Sequence, residues 1–391
     1  AVIGTPLRAS PSNAALANGT AAHALDFDDM CFVSLAHPSA PLVAAALAAG
    51  EVCRARGGAL LDAYVVGFEV EARLGRAMNP RHYQRGWHCT ATLGSIGAAA
   101  AAARLFGLSE AQASHALAIA ASEASGLKEN FGTMVKPLHA GLAARNGVLA
   151  AQLARAGLTA SAAAIEGEQG FLAAMDGEQR SLERVAGDLG ERWEIVETGI
   201  TVKLYPSCAG THPTLDALLD LRRRHGFSAG DVDAVEIGVD PIVPTILIHD
   251  RPATGLEGKF SMPFCAAAAL VHGEVGIATF DEAHLQDEAI RAVQQRVAIR
   301  VDPTLDAAAP ALTQSRVTVR LRDGRVLTEE ANGARGYPAR PASDRELSAK
   351  FLSCASAALT QQQARAALDA VRDVATCADV RTMTCLLQPT E

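Results

Sequence analysis

The sequence predicts a mainly α fold: one large all-helical domain made of both chain ends, with a smaller α+β domain inserted between them. Three observations carry this. Apolar residues recur at helical spacing through the first two hundred residues, with no convincing strand. The period switches to two near Lys203 and returns to helical after Pro338 and Pro341. The chain has 391 residues, is 49% hydrophobic and only 4% aromatic, and draws much of its apolar count from alanine. That length favours two domains, and alanine favours closely packed helices. The expected boundaries are 1–200 with 337–391 for the helical domain and 201–336 for the α+β unit.

Taken in order, NAALANGTAAHALDFDDM carries Ala14, Leu16, Ala17 and Ala21 at helical spacing and ends in Asp26, Asp28 and Asp29. A loop with His37 and Pro38 leads to two helices, PLVAAALAAGEVCRAR and ALLDAYVVGFEVEARLGRAM. A helix of nearly all Ala and Gly runs from about Thr92 to Phe106 and is expected to be buried on every side. Gly107 ends it, and Ser109 with Glu110 starts the next, to about Ala124. Another helix is expected from about Ala140 to Ala156. DVDAVEIGVD and RVAIRVD then alternate as strands, and RVTVRLRDGRVLTEEA reads as a hairpin about Asp323-Gly324. SMPFCAAAALVHG and DEAIRAVQQR are helices between them, giving a mostly antiparallel sheet. Ser343 with Glu346 forms a capping box that opens the C-terminal helices, expected to pack back on the first domain.

Net charge is −8, which argues against nucleic acid or an anionic membrane as partner. No apolar run reaches the ~18 residues needed to cross a bilayer. Eight cysteines without a CxxC pair fit reduced thiols in a cytoplasmic enzyme. No nucleotide fingerprint occurs. The opening AVIGTPLRAS has no initiator Met and no signal-peptide pattern, so a missing or removed start is expected.

The chemistry centres on GWHCTAT and NFGTMVKPLHAG. Gly86 before His88 and Pro137 after Lys136 place an imidazole and an ammonium group at helix ends. Lys136 and Lys203 are scarce lysines in an arginine-rich chain, which favours a point-charge role. His37 precedes proline amid helices poor in polar groups. Of the three acids, Asp26 lies between Leu25 and Phe27 and is expected to point inward, toward His37 or His88; Asp28 and Asp29 are expected to be solvated or capping. A metal at this cluster is not expected, since on a helix end only Asp26 and Asp29 would share a face. KLYPSCAGTHP sets Cys208 and His212 four apart on a turn; Cys208 reads as a thiol acid/base rather than a nucleophile. His212 and Asn130 join the lysines as substrate-binding candidates, whereas His115, mid-helix, reads as structural.

AHALDFDD, HPS, GWHCTAT, GLSEAQASHALAIAAS, NFGTMVKPLHAG, AARNG and KLYPSC together resemble the MmgE/PrpD family, which includes 2-methylcitrate dehydratase, cis-aconitate decarboxylase and iminodisuccinate epimerase. The likeness runs from about residue 10 into the C-terminal helices. It implies an α+β lid, a homodimer, and a cofactor-free site in the cleft between the domains, with further helices before the start of this chain. It also implies pocket roles for Asp26, His37, His88, Lys136 and Lys203. Met30 stands where decarboxylase members have threonine, Cys208 where they have histidine, and Phe264 where tyrosine is common; on this ground decarboxylation ranks last of the three activities.

The expected function is therefore a lyase acting on a small di- or tricarboxylate, 2-methylcitrate dehydratase-like. Proton abstraction beside a carboxylate builds charge that Lys136 and Lys203 would stabilise, with His88 and His37 moving protons and Asp26 orienting a histidine. The alternative is epimerisation, with Cys208 as a second acid. A non-catalytic helical scaffold is the rival from another class, disfavoured because packing does not require buried charges.

Overall fold

The computed structural model describes residues 1–176 and 182–389. The first half folds into helices α1 (Pro11–Ala24), α2 (Ser39–Cys53), α3 (Gly57–Met78), α4 (Cys89–Leu105), α5 (Glu110–Glu123) and α6 (Val135–Arg155). Helix α4 is buried at every position from Cys89 to Ala103, so it is the axis around which the others pack. Small residues let backbones touch there: a Cβ on Gly67 of α3 would meet the Gly97 carbonyl of α4 at 2.8 Å. A Cβ on Gly147 of α6 would come within 2.4 Å of Ala98. Such close approach multiplies dispersion contacts that alanine side chains alone supply sparingly.

Helix α6 starts five residues earlier than the sequence indicates, at Val135, so Lys136 lies in its first turn. Pro137 is tolerated there because first-turn N–H groups have no intrahelical partner. Ser109 and Gln112 form a reciprocal capping box at α5. The ring of His115 accepts from the Ala160 amide at 3.2 Å.

A two-residue antiparallel pairing of β1 (Asp29–Met30) with β2 (Thr201–Val202) corrects the expectation of a strand-free first half. After β2 come α7 (His212–His225), β3 (Val232–Val239), α8 (Met262–His272), α9 (Glu288–Gln294), β4 (Val297–Val301), β5 (Gln314–Leu321) and β6 (Val326–Asn332). Their sheet has the order β4-β3-β5-β6. The β3–β4 pair is parallel and the other two are antiparallel. Val235, Ile237, Val239, Val317 and Val319 are buried together with the apolar faces of α7 and α8.

Three later helices, α10 (Asp344–Ala355), α11 (Gln361–Arg372) and α12 (Val380–Leu386), complete the chain. Ser343 and Glu346 cap α10 reciprocally. Val380 and Met383 of α12 share an apolar cluster with Ala46, Leu47 and Leu60 of α2 and α3. Backbone bonds fix this docking: Gly57 N donates to Cys377 O at 2.8 Å and Val380 N to Ala55 O at 2.9 Å. All eight cysteines are free thiols.

Candidate active site

Helix α1 stops at Ala24, and Asp26 adopts a left-handed backbone with φ of 50°. The turn removes the segment from helical geometry, so the i, i+3 argument for Asp26 and Asp29 does not apply. Asp26 turns inward and is 3% exposed. Its Oδ1 lies 2.5 Å from the Lys136 ammonium and its Oδ2 3.0 Å from that of Lys203. Burial alone would raise this carboxyl, but the two ammonium groups outweigh it and hold Asp26 well below the usual carboxylate range. Burial would likewise lower Lys203, yet Asp26 and Asp28 keep it above its ordinary value. The site thus contains fixed charge at neutral pH.

Asp28 is buried in this cluster rather than solvated. Its Oδ2 is 2.7 Å from His23 Nδ1, and His23 Nε2 is 2.8 Å from Lys136 Nζ. An ammonium group only donates, so His23 Nε2 accepts and Nδ1 carries the proton given to Asp28. Asp29, also buried, accepts from the Ser39 amide and hydroxyl at the start of α2. Burial first, and then the Asp28 charge, push Asp29 up to about 7.

His37 Nδ1 donates to the Asp29 carbonyl at 2.7 Å, leaving Nε2 as the bare nitrogen of a neutral ring. Burial, aided by Lys203, brings His37 down to about 3. His88 precedes α4, after Gly86 with φ of 97° turns the chain. Its Nδ1 lies 3.0 Å from His139 Nδ1, and its buried Nε2 has no partner. Burial and then Lys136 keep His88 well below the imidazole range. Both rings are neutral near pH 7. Burial, with Asp26 next, raises the Cys208 thiol, so this group holds its proton.

These groups face one cavity. Asp26, His37, Tyr83, His88, Phe131 and Lys136 from the first half of the chain line it together with Cys208, Ile246, Phe260 and Leu312 from the second. Its volume is about 20 Å³, room for one or two waters. Lys203, given a pocket role by the resemblance, does not line the cavity: it is fully buried against Asp26. His212 does not line the cavity: its Nε2 donates to the Ser207 carbonyl at 3.1 Å and braces the turn that carries Cys208. Asn130 also lies outside, closing a short helical turn whose carbonyl caps Thr133. Both were expected to bind substrate; His212 instead opens α7 with its ring bound to the Ser207 carbonyl, and Asn130 is not among the residues that line the cavity. Phe264 packs on Phe280, with ring centres 5.9 Å apart, away from the cavity.

Sequence reading missed His23, Asp28, Tyr83, Lys259 and Lys350. Lys259 Nζ donates to Leu25 O and Pro206 O, both at 2.8 Å. Lys350 Nζ donates to Asp28 O at 3.0 Å and Lys203 O at 2.8 Å. Burial lowers both lysines to about 8. The available signal was the rarity of lysine itself, since all four near the site belong to that scarce set.

His23, Asp26, Asp28 and His37 bring candidate ligand atoms within 4.8 Å of one another. Each Asp26 oxygen already faces an ammonium group, and both His23 nitrogens are engaged. Two ammonium charges at this carboxylate oppose a cation, so the donor set fits an ammonium-centred site better than a metal.

The fold is mainly helical, and one cavity gathers the Lys136 ammonium, the neutral imidazoles of His37 and His88 and the Asp26 carboxylate, a set suited to moving a proton. The chain belongs to the MmgE/PrpD family: residues 1–183 match its N-terminal domain and residues 205–376 its C-terminal domain. A cis-aconitate decarboxylase-like protein of Aspergillus oryzae is 29% identical, covering 99% of this chain and 84% of that protein. Cis-aconitate decarboxylase of Homo sapiens is 28% identical over 98% of this chain and 80% of its own length, and that of Mus musculus is 28% identical over 97% and 79%.

Proposed function

We propose that this protein is a cofactor-free lyase acting on a small di- or tricarboxylate, in the manner of a 2-methylcitrate dehydratase. The observation that carries the reading is the unpartnered Nε2 of neutral His88 facing the same cavity as the Lys136–Asp26 pair. In this reading the Nδ1 proton of His88 is given to His139, which leaves Nε2 bare to accept a substrate proton. In this reading His88, with His37 beside it, takes the proton from the carbon next to a carboxylate. Lys136, with Lys203 behind it, balances the enolate-like charge. In dehydration the departing hydroxyl leaves as water after receiving a proton; Cys208 holds one to give.

The names of the relatives favour a second reading, decarboxylation, in which a carboxylate leaves as CO2 and the remaining carbanion is protonated. Met30 and Cys208 line the cavity and keep this reading second; Phe264 carries no weight, because it does not reach the cavity. Epimerisation is the further alternative, with Cys208 returning a proton on the opposite face. Residues 201–336 are read as a lid over the helical domain, because a cavity of about 20 Å³ admits no polycarboxylate until its walls part.

Incubation with di- and tricarboxylates in deuterated water, followed by NMR, tests all three. Deuterium incorporation with loss of water supports dehydration, CO2 release supports decarboxylation, and exchange with inversion supports epimerisation. No exchange and no turnover on any acid of the panel would remove the enzymatic reading in favour of a non-catalytic scaffold.

A further inference from the structure

The described residues include a second, larger cavity of about 640 Å³, far larger than the central one and separate from it in its lining. Its polar lining is Asp216, Asp220, Arg222, Arg223, Arg335 and Arg340, four guanidinium groups against two carboxylates. In a chain of net charge −8 this is a local excess of positive charge.

The carboxylates are already committed. Asp220 pairs with Arg223 at 2.7 Å. Asp216 Oδ1 accepts from the Tyr205 hydroxyl at 2.6 Å and from Arg335 Nε at 3.2 Å, while its Oδ2 accepts from the Arg335 amide at 2.7 Å. Arg335 also reaches Glu346 at 3.0 Å. Arg340 is left 3.8 Å from Asp216, with a bond to the Gly333 carbonyl at 3.3 Å.

Arg222 has no carboxylate at all among the described residues, and its Nε is buried without a partner. Its guanidinium lies against Gly273, where φ is 78° and an added Cβ would sit 1.8 Å from Nη1. The glycine that ends α8 therefore leaves space for this arginine to stand at the cavity wall. Leu219 and Phe227 supply an apolar side. The volume lies within the roughly 300–1,000 Å³ usual for small-molecule sites. Planar guanidinium groups with free donors match oxyanions in pairs.

We infer that the cavity between α7 and the 335–340 segment binds a small multivalent oxyanion, of phosphate or polycarboxylate chemistry. Arg222 supplies the unneutralised charge, Arg340, only loosely paired with Asp216 at 3.8 Å, supplies a second guanidinium, and the Asp216–Tyr205–Arg335 set holds the wall beside them. This site is independent of the reaction proposed for the central cavity.

The test is calorimetric titration of the full-length protein with inorganic phosphate and, separately, tricarballylate, at ionic strength held constant with sodium chloride. Saturable binding is expected, weakened about tenfold in R222Q and in R340Q. D220N removes a competing carboxylate from the rim and should tighten binding about threefold, the effect of one screened charge at close range. A gain of affinity is not a result that misfolding produces, so D220N guards against loss of structure in the arginine variants. Binding by phosphate alone or by tricarballylate alone identifies the source of the oxyanion; for tricarballylate only the component lost in R222Q belongs to this cavity. No saturable binding of either anion, or binding unchanged in all three variants, overturns the inference.

Discussion

The Lys136 ammonium touches both Asp26 Oδ1 and His23 Nε2, so one side chain joins the carboxylate to the His23–Asp28 pair. Replacing Lys136 by Met preserves most of the stem's packing and leaves Asp26 with Lys203 as its counter-charge. The fold is expected to survive, as circular dichroism would report. Turnover on the true substrate should fall about a hundredfold, which corresponds to roughly 3 kcal/mol of lost transition-state stabilisation. Unaltered turnover would refute the role given to this residue. Cys208→Ser asks a different question. It should impair an epimerase that returns a proton from the thiol and leave a dehydratase comparatively active, measured as exchange with inversion against release of water.

Between elements, the 25–28 segment is held through its main chain. Lys259 binds the Leu25 carbonyl, Lys203 that of Asp26 at 3.3 Å, and Lys350 that of Asp28. Lys350 comes from α10, so the C-terminal part of the chain completes the support of the turn that carries Asp26 near its N-terminal end. Lys350→Met should leave the Asp28 and Lys203 carbonyls without this donor and cost about 1–3 kcal/mol, read as a lower Tm. The docking of the last helices is tested at Gly57, where an added Cβ would lie 1.6 Å from the Val374 carbonyl. Gly57→Ala should push the 374–380 segment away and lower stability by about 1–3 kcal/mol. An unchanged Tm would mean that this contact contributes nothing.

For the whole molecule, the buried histidines dictate a response to acid. His23, His37, His82, His88, His139 and His212 are all held below the ordinary imidazole range, chiefly by burial. The unfolded chain accepts these protons near pH 6.5 whereas the folded chain refuses them, so their contribution is intact above that value and is lost as pH falls below it. Asp29 and Glu71 are raised, primarily by burial, and act in the opposite sense. The unfolded chain ionises them at about pH 4 while the folded chain keeps them protonated, so they weaken the fold as pH rises from there, for Asp29 up to about 7. Six groups against two leave the histidines in control. Each contributes up to about 1.4 kcal/mol per pH unit, so Tm should drop steeply between pH 6.5 and 5. A flat Tm across that interval would contradict the neutral-imidazole description. At the same scale, a homodimer is proposed from the family resemblance alone. The apolar α4 is buried within its own chain and does not call for a partner. Sedimentation of a dimer at micromolar concentration is expected, and a monomer would remove the proposal.

Periodicity alone located the long helices, the hairpin at Asp323-Gly324 and the buried alanine helix, because those patterns follow from local geometry and burial. Scarcity of polar groups between helix breaks also pointed to Asp26, His37, His88 and Lys136, which line one cavity. Tertiary structure decided the rest. A left-handed residue at Asp26 converts three acids on an apparent helix end into a buried cluster, and no spacing rule anticipates a single φ. His23 and Lys350 are distant in sequence from their partners or face them only after the chain turns, so their roles exist only once the ends of the chain meet. His212 and Asn130 have suitable chemistry but do not line the cavity. Residue type sets what a side chain is able to do, while the direction it faces depends on long-range packing that local sequence does not encode.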